Sequence, residues 1–332
     1  MRYIKNNLFI DNKGIFDLAN KYGTPLYCYS YNKLKSNIDR FKNSFKKISP
    51  LICFSVKSNS NISLLKEIKK LGLGADVVSK GELFAALKAG INKKKIVFSG
   101  VGKTAEEIDY AIKKNILLIN AESHNEVLVI EKIAKKRKKL VNIGLRLNPD
   151  TDAKTLKQIS TGKSENKFGV DKNTFLKIIN SLSGSNYINI KCLSVHIGSQ
   201  IMNNKPYEEM LNVVDKLLKT INYKFEYIDL GGGMGIKYDN ERKNLDYKKY
   251  SNSILSFKNK HKCKIIFEPG RSIIGSAGVL ASKVIYMKEN KTKIFVILDA
   301  AMNDLIRPAL YNARHRIIPA IKNKKRAKKI LE

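Results

Sequence analysis

Cysteine is scarce in this sequence: four in 332 residues, at Cys28, Cys53, Cys192 and Cys263. They lie far apart and no pair has CxxC spacing. That argues against a disulfide framework or a zinc site and for buried thiols. Histidine is equally sparse, with four in the chain. No second histidine or acidic cluster accompanies His196 at ligand spacing, so no metal is expected. Apolar runs are short, and none approaches the ~18–20 residues of a membrane helix. Met1 to Phe16 mixes charged and apolar residues and lacks the apolar stretch of a signal peptide, so a cytoplasmic protein without a membrane partner is expected. Acidic residues are also few, 29 against 63 Lys+Arg, a formal net charge of +34. Such an excess points toward nucleic acid. Yet the cations are mostly lysines spread along the chain, often beside Asn, and no binding motif accompanies them. The dense run Lys135-Lys136-Arg137-Lys138-Lys139 reads as a solvated helix end, where cations complement the dipole. A second run spans Lys322 to Lys329. Surface composition, not specific nucleic-acid binding, is the expected meaning of the charge.

What the sequence does contain is rhythm. Hydrophobic residues make up 43% and charged residues 28%, a globular balance. Short β-branched runs alternate with amphipathic stretches. Leu51–Val56 precedes a helix over Asn61–Leu71, and Gly74–Val78 precedes Gly81–Ala89. Lys95–Phe98 leads to Thr104–Lys114, and Ile116–Ile119 to Glu122–Lys138. Leu140–Leu147 is followed by a long polar loop and a helix near Lys172–Leu182. Ile188–His196 leads to Pro206–Ile221, Phe225–Leu230 to Asp246–Lys260, and Cys263–Glu268 closes the series. Eight strands in this order, with no early GxGxxG, predict an α/β fold with a closed (β/α)8 barrel rather than an open doubly wound sheet. Beyond Glu268 the texture changes. Ile273–Tyr286 and Lys293–Leu298 read as strands without helices between them, and residues 1–30 read as strand-like pieces around Pro25. The expected organisation is therefore an N-terminal segment over 1–30, a barrel over 31–270, and a C-terminal part of the same β-rich domain over 271–332.

Barrels carry their chemistry at the C-terminal ends of the strands. Reading those positions gives Lys57, Asp76, Arg146 with Asn148, His196 followed by Gly198-Ser199-Gln200, Gly231-Gly232-Gly233, and Glu268-Pro269-Gly270-Arg271. A lysine at the inner mouth of a barrel is desolvated, and a lowered pKa would suit Schiff-base chemistry. Consecutive glycines after a strand expose backbone N–H groups that can cradle a phosphate. His196 reads as a metal ligand, a general base or a ring-stacking partner. Glu268 is placed to pair with a ring nitrogen or to form a structural ion pair. Together these four features at separate strand ends specify pyridoxal 5'-phosphate, an electron sink that the protein orients and tunes.

The motifs Phe54-Ser-Val-Lys-Ser-Asn59, Ile159-Ser-Thr-Gly162, Lys167-Phe-Gly169, His196-Ile-Gly-Ser-Gln200, Gly231-Gly-Gly-Met-Gly235, Glu268-Pro-Gly-Arg271 and Asn303-Asp-Leu-Ile-Arg-Pro-Ala-Leu-Tyr311 resemble those of the barrel-type pyridoxal-phosphate decarboxylases, and within them the diaminopimelate decarboxylases. The resemblance runs from about Gly23 to Pro319. It implies that Lys57 holds the cofactor and His196 stacks on its ring, these being the catalytic pair. Asp76, Ser199, Gly231, Gly232, Gly233, Glu268, Pro269, Gly270 and Arg271 would complete the cofactor site. Arg271, Arg307 and Tyr311 would bind substrate carboxylates, where an Arg fork suits bidentate contact. The implied reaction is decarboxylation of meso-2,6-diaminopimelate to L-lysine by a homodimer with shared active sites. Action on another basic amino acid or a carboxylated polyamine, or cofactor binding without turnover, stays open at this point. Two departures stand out. Family members carry a His-containing stretch where this chain has Thr155-Leu-Lys-Gln158. They also continue for several dozen residues, with a Cys-Glu pair and a Tyr that nothing after Pro319 matches. The resemblance therefore predicts the cofactor half of a site and a β-domain short of strands.

Overall fold

A computed structural model describes residues 1–155, 160–163, 165–238 and 245–322. Of the motifs above, Ile159, the stretch Leu156 to Gln158 and the whole basic run after Lys322 lie outside the described residues. The chain divides into two compact units. One is built on Asn37–Lys237 and the run up to Gly275; the other joins Met1–Ser36 to the segment from Ser276 onward.

The second unit opens with an antiparallel meander, β1 (Arg2–Ile4), β2 (Asn7–Ile10) and β3 (Lys13–Gly14). Helix α1 (Ile15–Tyr22) and strand β4 (Leu26–Tyr29) follow, and helix α2 (Tyr31–Ser44) begins in this unit and ends in the barrel unit.

In the barrel unit, β5 (Leu51–Ser55), β6 (Gly74–Val77), β7 (Ile96–Phe98), β8 (Leu118–Ala121), β9 (Val141–Arg146), β10 (Ile188–Ser194), β11 (Tyr227–Asp229) and β12 (Lys264–Phe267) pair in parallel, and β12 closes on β5. The intervening helices are α3 (Ile62–Lys70), α4 (Lys80–Lys88), α5 (Ala105–Lys114), α6 (His124–Lys136), α7 (Lys172–Ser181), α8 (Lys205–Thr220) and α9 (Tyr247–His261). Their starts are written in the sequence: Asn61, Ser79, Thr104, Ser123, Asp171 and Asp246 each accept a backbone N–H of the first turn. Thr104 and Glu107 form a reciprocal capping box, which satisfies two N–H groups that the helix itself leaves open. The predicted eight-stranded barrel is thus the observed one. Helix α10 (Arg271–Ile274) follows β12. In the other unit, β13 (Gly278–Ala281) pairs with β4, β14 (Val284–Glu289) pairs with β15 (Ile294–Leu298), and α11 is Arg307–Tyr311. Both ends of the chain meet there: Leu8 N–H donates to the Ala320 carbonyl at 2.8 Å, and Leu8, Ile10, Ile15 and Cys28 form its small core.

Several element boundaries differ from the sequence reading by a residue or two, and two of the differences have a clear physical reason. The fourth strand lies at Leu118–Ala121 and not Ile116–Ile119, because polar Asn120 faces the barrel interior and reads as a loop residue when the sequence is taken alone. Ile273 belongs to the single turn α10, where Gly270 accepts the N–H of Ile274 at 3.1 Å, and not to a strand. All four cysteines are buried free thiols.

Successive residues of a strand face opposite sides, and the barrel interior consequently fills in layers. Cys53, Val97, Leu118, Cys192 and Ile266 form one wholly buried apolar layer. Two residues further along the same strands stand Ser55, Ser99, Asn120, Ser194 and Glu268, with Asp76, Arg146 and Asp229 from the remaining strands. This second layer is polar, buried and at the C-terminal mouth.

Candidate active site

Lys57 sits in a single 3-10 turn, Val56–Ser58, immediately after β5. Its Nζ lies 3.3 Å from Asp76 Oδ2; the lysine side chain is 50% exposed and the carboxylate wholly buried. Ser55 Oγ donates to the same Asp76 oxygen at 2.5 Å. The sequence reading expected a lowered amine pKa, and the structure corrects this. Burial does work against the ammonium, but Asp76 and Glu268 outweigh it and hold the Lys57 pKa above its ordinary value.

His196 stands two residues past the end of β10. Its Nδ1 accepts the Gly232 N–H at 3.1 Å, and its backbone carbonyl accepts from Arg146 Nη2 at 3.2 Å and Thr161 Oγ1 at 2.9 Å. Burial, with the cations of Arg146 and Lys57 nearby, pushes the imidazole well below its usual pKa. The ring is therefore neutral, and with Nδ1 accepting, the proton resides on Nε2.

The glycine run does more than offer N–H groups. Gly231 donates to Asp229 Oδ1 at 2.9 Å, while Gly232 donates to His196. Gly231 and Gly233 have φ of +62° and +85°, a region costly for residues with a Cβ. A Cβ on Gly231 would stand 2.5 Å from His196 Nδ1, and one on Gly232 would strike the Glu268 carbonyl oxygen. The run is thus a tight cradle whose first two N–H groups orient a carboxylate and an imidazole. Tyr207 OH braces it by donating to the Gly232 carbonyl at 3.0 Å.

Glu268 follows β12. Ser99 Oγ donates to its Oε1 at 3.1 Å, and it is hydrogen-bonded to Asp229. Burial, and then the negative charges of Asp229 and Asp76, raise the Glu268 pKa far above the carboxylate range. Arg271, on α10, directs Nη2 to Ser199 Oγ at 3.3 Å, and Pro269 gives its carbonyl to the Ser55 N–H at 3.1 Å. Gly270 packs close to Ser55 and Ser58, where a Cβ would meet their side chains at 3.0 and 3.2 Å.

The sequence reading left three interior residues out of the site. Asn120 Nδ2 donates to Asp229 Oδ2 at 3.1 Å, Ser99 Oγ at 3.2 Å and Ser194 Oγ at 3.4 Å. Glu122 pairs with Arg146 Nη1 at 2.9 Å and accepts the N–H groups of Gly100 and Gly169 at 3.0 and 3.1 Å. Asp229 is wholly buried. Inward alternation from Leu118 to Asn120 to Glu122, and from Tyr227 to Asp229, is the signal that finds them.

Lys57, Asp76, His196, Glu268 and the glycine cradle therefore belong to one barrel mouth. Arg307 and Tyr311 lie on α11 of the β-rich unit, where the Arg307 guanidinium covers the Tyr238 ring at 4.8 Å and approaches His315 Nε2 at 3.2 Å. Among the described residues there is no group of three or more His, Cys, Asp or Glu that could hold a metal, and no helix long and apolar enough to cross a membrane. The donor set at the mouth fits pyridoxal phosphate: an amine beside a carboxylate, a cradle without room for Cβ atoms, a neutral imidazole and a buried acid.

Comparison with known proteins agrees. The family profile described as "Pyridoxal-dependent decarboxylase, pyridoxal binding domain" matches residues 31–275. The diaminopimelate decarboxylase of Aquifex aeolicus is 42% identical over 335 residues, covering 100% of this chain and 79% of that protein. That of Helicobacter pylori strain J99 is 43% identical, covering 91% and 75%. The crystal structure of the Helicobacter pylori diaminopimelate decarboxylase complexed with L-lysine superposes with a TM-score of 0.87 at 42% identity, over 91% of this chain and 76% of that one. By its barrel, its mouth and these matches, the chain belongs to the diaminopimelate decarboxylases, within the pyridoxal-dependent decarboxylase family.

Proposed function

We propose that the chain catalyses decarboxylation of meso-2,6-diaminopimelate: the carboxylate at the D-centre leaves as CO2, a proton takes its place on that carbon, and L-lysine results. The observation that carries this reading is Lys57, set 3.3 Å from Asp76 in one mouth with His196 and Glu268. When bound there, pyridoxal phosphate supplies an electron sink for the bond being broken. Lys57 holds it through its amine. Asp76 keeps that amine in place and, with Glu268, favours its protonated form, so attachment demands that a proton leave Nζ. His196, kept neutral and fixed by the Gly232 N–H, offers a flat uncharged face to the ring. Ser199 and Gly233 receive the phosphate, while Gly231 and Gly232, whose N–H groups are engaged by Asp229 and His196, hold the bend of the cradle, and Pro269 and Gly270 shape the wall beside Ser55. Glu268 meets the ring nitrogen. Arg271, Arg307 and Tyr311 take the substrate's carboxylates; guanidinium forks bind such groups at two points. The setting of this reading is a cytoplasmic homodimer.

The test is product analysis on the purified chain loaded with pyridoxal phosphate. Stoichiometric CO2 and L-lysine from meso-diaminopimelate, with no CO2 from lysine, ornithine or arginine, is the expected result. CO2 from one of the other amino acids in its place would reassign the substrate.

A further inference from the structure

The barrel mouth holds more acid than its cations match. Asp76 pairs with Lys57, and Glu122 with Arg146. Asp229 and Glu268 are both buried, are joined in one hydrogen-bond network through Asn120, which reaches Asp229, and Ser99, which reaches Glu268, and among the described residues form no salt bridge. Two carboxylates cannot share such a site fully ionised, because each raises the energy of the other's charge where water cannot screen it. The surrounding hydrogen bonds say which keeps the charge. Both Asp229 oxygens accept N–H groups, from Gly231 at 2.9 Å and Asn120 at 3.1 Å, an arrangement that favours a carboxylate. Glu268 receives a single hydroxyl, from Ser99.

We propose that Asp229 and Glu268 work as one unit with a single proton, carried by Glu268 in the cofactor-free chain and handed to Asp229 when Glu268 faces a protonated ring nitrogen. The proton leaves a Glu268 carboxyl oxygen and arrives on an Asp229 oxygen, so the pair keeps one negative charge and exchanges nothing with solvent. Asp229 is then a positioning residue, acting through Glu268, and Asn120 and Gly231 hold it ready. The other groups facing the pair do not compete for the proton. Lys57 and Asp76 answer each other, Arg146 answers Glu122, and Cys53 and Cys192 are thiols that burial holds neutral, with Asp229 adding to the effect. The directions of the two carboxyls agree, since burial pushes both upward and their mutual charge pushes Glu268 further. The second half of the proposal rests on the cofactor reading above; the first half does not.

Infrared difference spectra of the full chain, prepared with isotope-labelled Glu or labelled Asp carboxyls, test both halves. In the cofactor-free chain at neutral pH, a protonated-carboxyl band should shift with the Glu label and not with the Asp label, and E268Q should remove it. In D229N the band should titrate away at least about one pH unit lower than in the wild type. After loading with pyridoxal phosphate, the band should become sensitive to the Asp label. No protonated carboxyl at neutral pH, or a band that survives E268Q, would overturn the shared proton. A band that stays Glu-sensitive after loading would overturn the hand-over. The labelled wild type decides both points even if D229N does not fold. Failure of the cofactor to attach would instead count against the cofactor reading, with the cofactor-free spectrum still deciding the pair.

Discussion

Two layers of the barrel interior, two residues apart on the same strands, differ in almost everything but burial. The lower one, Cys53, Val97, Leu118, Cys192 and Ile266, is apolar and wholly enclosed. The upper one, reached at Ser55, Ser99, Asn120, Ser194 and Glu268, is polar and cross-linked by hydrogen bonds through Asn120. The lower layer contributes stability through burial. It also gives the upper layer a floor that excludes water, which magnifies every charge above it. The upper layer stores those charges and yields less stability in return, as expected where function sets the residue choice. Stability and chemistry therefore respond to different mutations within one barrel, and each of the following changes tests that separation.

The largest effect is expected at Glu122, where the polar layer is itself structural. Glu122→Ala leaves the Arg146 cation buried and unpaired and frees the N–H groups of Gly100 and Gly169. Breaking a buried pair from one side costs about 3–5 kcal/mol, measurable by denaturant unfolding, and cofactor binding should weaken with it because Arg146 also holds the His196 carbonyl. In the apolar layer, Ile266→Ala should cost about 2–5 kcal/mol through lost burial and a residual cavity, while the cofactor's absorbance survives. Loss of absorbance in a folded I266A protein would break the separation.

A smaller effect should have the opposite sign. Glu268 is raised in the folded chain, so the fold binds a proton that the unfolded chain has lost. Its contribution is favourable at acid pH and is lost as pH rises above the ordinary carboxyl range toward the folded value. Glu268→Gln should therefore stabilise the cofactor-free chain at alkaline pH, by roughly 1–3 kcal/mol from the relief of a buried charge, and the gain over wild type should shrink toward acid pH. Melting temperatures across pH check it, and equal curves would contradict the stored-charge account. The smallest change is Thr104→Ala. It removes a capping box on the outer ring for about 1 kcal/mol, with cofactor binding unaffected.

The same layering explains what could be read from the sequence. The strand rhythm and the helix caps are local, so eight units and their order were legible. Lys57, His196, the glycine run and Glu268 were legible because they end strands beside turns. Asn120 was not, since a polar residue inside a strand looks like the strand's end, and Asp229, although read inside its strand, carries no local sign that it faces the barrel interior. Their partners also lie 109 residues apart along the chain, a pairing that only closure of the barrel creates. The raised pKa of Lys57 was hidden for the same reason: a position after Val56 implies desolvation, whereas the opposing carboxylates of Asp76 and Glu268 arrive from β6 and the end of β12.

If the polar mouth around Lys57 is the cofactor site, Lys57 is the lysine that carries the cofactor. Borohydride reduction of the pyridoxal-phosphate-loaded chain, followed by peptide mass analysis, tests it most directly. One modified lysine, Lys57, is the expected result, with no stoichiometric modification once Lys57→Ala is introduced. Stoichiometric modification of another lysine, with Lys57 left free, would contradict it.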